Sequence, residues 1–160
     1  MFYPDLSPYE QNLGQPNHIT RNSTSAKITT VLNIGWLDRN HLYPTGDIPD
    51  KFLDCLFDLC WHPVNLTRGF HVCELCAIAP HRIIKKKKNG VEYEFKDPIP
   101  ISVQRNGKQV NLGNGEIRVL GKGGILYVAP TLIYHYVTEH KYRPPDAFID
   151  AVINAHQPDY

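Results

Sequence analysis

No stretch of this sequence is apolar over the roughly 18 residues that would suggest a membrane span. The first residues, Met1-Phe2-Tyr3-Pro4-Asp5, lack a basic segment leading into an apolar one, so no signal peptide is expected. Charge of one sign is missing too. The chain has 17 basic and 16 acidic residues and a formal net charge of +1, which leaves no global basic footprint for nucleic acid and no acidic tail. There is no Gly-x-Ser-x-Gly elbow. Gly121-Lys122-Gly123-Gly124 turns one strand into another with no helix directly after it, so it is not a phosphate-cradling loop. The expectation is a cytoplasmic protein with reduced thiols, no membrane contact and no nucleic-acid partner.

Cysteine is scarce but grouped. The stretch Thr67-Arg68-Gly69-Phe70-His71-Val72-Cys73-Glu74-Leu75-Cys76 holds a His-x-Cys-x-x-Cys cluster. Two thiolates on a short turn can point at one ion, and zinc takes four N or S ligands in a tetrahedron. His71 lies close enough in sequence to reach the same ion. A fourth ligand is open to several residues. His81 extends the pattern to three positions of a Cys-Cys-His-Cys knuckle, whose last position is here Lys86, which cannot ligate. Cys60 ends the preceding helix. His135 or His140 could close the site from across the fold. A redox Cys-x-x-Cys would need a thioredoxin-like βαβ setting, which is absent. Structural zinc is the expected cofactor.

Hydrophobic content of 42% suits one domain with an ordinary core. Residues 1–27, rich in Pro, Asn, Gln, Ser and Thr, read as an arm that wraps the domain or stays mobile, with Tyr3, Leu6 and Tyr9 as anchors. Residues 28–160 read as a single α+β domain. Ile28–Ile34 is β-branched and stops at Gly35. Pro49 opens a helix with Phe52, Leu53, Leu56, Phe57 and Cys60 inward and Cys55 as a small core residue. Asn89-Gly90 marks a hairpin with Lys85–Lys88 on one arm and Glu92 and Glu94 on the other. Further short strands follow at 99–104, 109–112, 116–120 and 125–128. Ala129-Pro130 leads into a second helix, and Pro145 into a third. The fold class is α+β: an antiparallel β-meander of about five to six short strands with three helices and a zinc knuckle.

One block runs from Asn33-Ile34-Gly35-Trp36-Leu37 through Pro63–Cys76, and a second from Gly115-Glu116-Ile117-Arg118-Val119 through Ala129–Val137, with Tyr142–Phe148 after it. Together these two blocks resemble a family of small, uncharacterised bacterial proteins. The resemblance spans roughly residues 33–152. It implies a stand-alone bacterial domain with a metal knuckle, and it supplies no activity.

Little else carries chemistry. His135 and His140 are five apart, whereas helical residues sharing an ion sit three or four apart. Glu116 beside Arg118 is the one carboxylate that could serve as a general base, although both alternate to one face and could pair with each other. The acidic residues Asp47, Asp50, Asp54 and Asp58 match the start and wet side of a helix. These features favour a zinc-stabilised protein-binding module of a bacterial cytoplasmic protein, toxin-neutralising or defence-associated, with another protein as partner. The alternative is a metal-dependent hydrolase or nuclease, in which His62, His71, His135, His140 and Glu116 converge on one cleft. Nucleic-acid binding through the lysine hairpin is opposed by the near-zero net charge.

Overall fold

The computed structural model describes residues 1–10 and 28–155. In chain order its elements are β1 (Thr30–Asn33), α1 (Asp50–Trp61), β2 (His81–Lys88), β3 (Val91–Pro98), β4 (Ile101–Arg105), β5 (Lys108–Leu112), β6 (Glu116–Leu120), β7 (Ile125–Pro130), α2 (Ile133–Glu139) and α3 (Asp146–Ala155). The class is α+β and the pairing mostly antiparallel.

The strands do not continue as one meander. A central sheet has the order β1-β7-β6, and β2–β3 and β4–β5 form separate two-stranded ribbons. In the central sheet β6 runs antiparallel to β7, but β1 runs parallel to it, with Leu32 opposite Tyr127. A parallel pair needs a long crossover, and here most of the chain lies between the two strands. β7 is buried along nearly its whole length. Its apolar run stays paired as far as Pro130, opposite Glu116. That pairing holds back the second helix, which starts at Ile133 rather than just after Pro130.

α1 forms where apolar side chains recur at helical spacing. Phe52, Cys55, Leu56, Phe57, Leu59 and Cys60 are buried, while Leu53, expected inward, is half-buried. The amides of Phe52 and Leu53 both return to the Pro49 carbonyl, which fixes the first turn. α3 packs beside α1, with Phe148 edge-on to both Phe52 and Tyr127. Each such buried side chain contributes about 1.5–3 kcal/mol of transfer free energy. This places the core between the two helices and the central sheet.

Residues 1–10 lie along β1. Tyr3 bridges Trp36, Pro8 bridges Leu32, and Asp5 accepts from the Gly35 amide and the Tyr142 hydroxyl. Residues 11–27 of the expected arm, and the tail from 156 onward, lie outside the described residues.

Glu116 and Arg118 were expected on a polar face, yet both are only 5% exposed. Tyr9 covers them and donates its hydroxyl to Glu116 at 3.0 Å. Burial and the carboxylate together push the Tyr9 phenol up to about 12.

Candidate metal centre

The segment between α1 and β2 has little regular structure of its own. It is held by backbone bonds to the β5–β6 corner. Val64 and Glu116 exchange bonds at 2.8 and 2.9 Å, the Thr67 amide donates to Asn114 O at 2.7 Å, and the His71 amide donates to Gly113 O at 2.8 Å. Gly113 permits that last approach. Its φ is +109°, and a Cβ there would lie 2.5 Å from the His71 carbonyl oxygen. The loop so fixed carries Cys73 and Cys76 against α2.

Four side chains then converge. The ligand atoms of Cys73, Cys76, His135 and His140 all lie within 4.8 Å of one another. The Cys76 sulfur is 3.2 Å from His135 Nε2 and 3.5 Å from His140 Nε2. The Cys73 sulfur is 3.4 Å from His140 Nε2, and the two Nε2 atoms are 3.3 Å apart. An ion at about 2.3 Å from sulfur and about 2.0–2.1 Å from nitrogen, at tetrahedral angles, requires S···N edges of about 3.5 Å and an N···N edge of about 3.3 Å. The four edges given above, from 3.2 to 3.5 Å, are close to that size. The residues present therefore fit a tetrahedral ion with two thiolate and two imidazole ligands.

The electrostatics agree. Burial pushes the Cys73 thiol up to about 11, against the pull of the Leu75 and Cys76 amides on its sulfur. A thiolate there needs a neighbouring cation. Burial, then the charge on His140, holds His135 below the ordinary imidazole range, in the neutral form that ligates.

The helix rule did not apply to His140, because that residue is not helical. α2 ends at Glu139, and His140 caps it at φ −113°, ψ 7°. Lys141 follows in the left-handed region at φ +55°. The His140 amide still donates to the Tyr136 carbonyl at 3.1 Å, and the two imidazole rings meet edge-on with centroids 5.0 Å apart. The signal was present in sequence: Arg143-Pro144-Pro145 ends the helix close to His140.

The other expected ligands lie elsewhere. Cys60 is fully buried and its thiol faces the Thr131 carbonyl oxygen at 3.6 Å. Burial alone pushes it well above the ordinary thiol range. His81 begins β2 and is exposed. His71 lines a cleft of about 400 Å³, together with Trp36, Glu74, Glu116, Leu132 and Tyr136. The four-residue cluster is the one group of at least three ligand-type side chains found among the described residues.

Fold and site together define a small α+β domain with a candidate Cys2His2 metal centre that ties a loop to a helix. The chain belongs to the family described as a domain of unknown function (DUF7919), which matches residues 1–153. That match takes in the N-terminal segment as well as the 33–152 region. No curated protein and no solved structure matches the chain significantly. No helix among the described residues is long and apolar enough to cross a membrane.

Proposed function

We propose that this chain is a zinc-stabilised protein-binding module that acts in the bacterial cytoplasm. The observation that carries this reading is the donor set: four protein side chains offer ligand atoms within 4.8 Å of one another, enough to fill a tetrahedral ion's coordination without water or substrate. Catalytic zinc keeps a position open for these. Mixed thiolate and imidazole donors in that geometry suit zinc over harder cations. The carboxylate best placed to act as a base, Glu116, is engaged by Tyr9 and by Arg118 at 3.4 Å. A toxin-neutralising or defence-associated role is the setting we favour for a small binding domain of this kind.

The test is chelation. Loss of one tightly held zinc per chain, accompanied by unfolding and by loss of a partner captured from the source cell, supports the reading. Retention of fold and partner without metal contradicts it.

One observation favours a second reading, a hydrolase. His71 and Glu116 line the same cleft, and Glu74, from the knuckle turn, lines it as well. Zinc-dependent hydrolysis of a phosphodiester or peptide substrate, lost in His71→Ala with metal content unchanged, would decide for that reading.

A further inference from the structure

We propose that one face of the β2–β3 ribbon is the docking surface for an acidic, extended segment of a partner protein. This rests on the protein-binding reading above. The ribbon pairs eight residues on each strand, a reach of about 27 Å. Nearly every residue along it is exposed.

Residues directly opposite each other share a face, so the register sorts the lysine run into two halves. On one face Lys85 lies opposite Glu94, with 3.4 Å between the charged groups, and Lys87 lies opposite Glu92. Those two charges each have a carboxylate across the strand, and Lys96, opposite Ile83 near the root, adds one further ammonium group to that face. On the other face Lys86 lies opposite Tyr93 and Lys88 opposite Val91, followed by Ile84 opposite Phe95. Arg82, further down that face, is bonded to Asp97 at 3.1 Å.

That second face therefore carries two ammonium groups with no carboxylate across the strand, set among apolar side chains. Val91, Tyr93 and Phe95 are 55%, 45% and 44% exposed. The Lys86 ammonium nitrogen sits 5.5 Å from the Phe95 ring centroid, so positive charge and apolar surface meet on this face. The complement is a strand-like segment whose ribbon-facing side chains, at every second residue, alternate between carboxylate and apolar. Two unopposed lysines are too few for affinity built on phosphates, which disfavours nucleic acid. A second copy of the ribbon would bring like charges together. The root of the ribbon follows Cys76 closely in the chain, so the ion would hold the ribbon in place relative to α2.

The test is fluorescence anisotropy with the full, metal-loaded chain. The probe is a labelled ten-residue peptide in which glutamate and phenylalanine take turns at every second position, with serine between them, compared with its lysine-for-glutamate counterpart and a labelled single-stranded deoxythymidine oligonucleotide. Two double variants remove equal charge from opposite faces: Lys86→Gln with Lys88→Gln, and Lys85→Gln with Lys87→Gln. The expected result is binding of the acidic peptide alone, weakened at least about tenfold by the first pair and less than about threefold by the second. Both pairs consist of exposed residues, and unchanged metal content and circular dichroism show that the variants are folded. Equal loss in the two pairs, tighter binding of the oligonucleotide, or no binding of the acidic peptide overturns the proposal. If the ribbon fails while chelation still releases a captured partner, the protein-binding reading stands and its surface lies elsewhere. An open coordination position would remove that reading itself.

Discussion

The Nε2 atoms of His135 and His140 lie 3.3 Å apart, although the two residues are five positions apart in the chain. Burial holds His135 neutral, so this is a contact between an imidazole nitrogen and its neighbour, not between two charges. A cation shared by the two nitrogens would stand where a proton otherwise does, and would also permit the buried Cys73 thiolate. Cys73 and Cys76 complete the group of four ligand atoms that could hold one ion.

Removing one ligand should release the ion. His135→Ala or Cys76→Ser is expected to abolish stoichiometric metal binding and to lower the thermal midpoint by well over ten degrees. His71→Ala is expected to retain one ion, because His71 lines the neighbouring cleft. Elemental analysis of the purified variants separates the two outcomes. Equal loss in His71→Ala would place that imidazole at the ion.

Ion uptake should expel protons. In the ion-free chain the Cys73 thiol, pushed up to about 11 by burial, holds its proton at neutral pH. Binding displaces that proton, so affinity should rise with pH and fall on acidification. His135, already held below the ordinary imidazole range, adds little to this release near neutrality. Calorimetric titration with zinc in two buffers of different ionisation enthalpy measures the release. Buffer-independent heats would contradict the expectation.

Gly113→Ala should loosen the centre from a distance. The new Cβ would meet the His71 carbonyl oxygen at 2.5 Å, on a backbone at φ +109° that side chains rarely adopt. Strain of this kind costs about 1–3 kcal/mol, more if the loop must move. Denaturant titration should show that loss, and chelators should remove the ion faster than from the parent protein.

Breaking the buried pair on β6 should be costly. Arg118→Ala leaves the Glu116 carboxylate buried with Tyr9 still bonded to it, and is expected to destabilise by about 3–5 kcal/mol. Tyr9→Phe removes a single hydrogen bond to that charge and should cost about 1–3 kcal/mol. Equilibrium unfolding gives both values. A negligible loss for Arg118→Ala would mean that the 1–10 segment does not shield the strand in solution.

Much of this was legible locally. The apolar spacing of Phe52, Leu56 and Cys60 marks α1, and Asn89-Gly90 marks the ribbon turn. Cys73 and Cys76 were identifiable as candidate ligands by their spacing alone. The full candidate group was harder, because its remaining members come from the region of α2, 59 residues further along, measured from Cys76 to His135. His140 was obscured for a local reason: spacing rules for helices fail at a residue that has left the helix. Cys60 looked suitable as the last cysteine of α1, but it turns into the apolar core toward Thr131. The parallel register of β1 on β7 and the burial of Arg118 were illegible for a further reason. Both depend on which distant segment covers a strand, and no periodicity within the strand encodes that.

X-ray absorption at the zinc edge, on protein purified without chelator, tests the account most directly. The expected result is one ion per chain with two sulfur neighbours at about 2.3 Å and two nitrogen neighbours at about 2.0–2.1 Å. A folded chain with no ion, or an ion with a water oxygen in place of one of these four ligands, would contradict it.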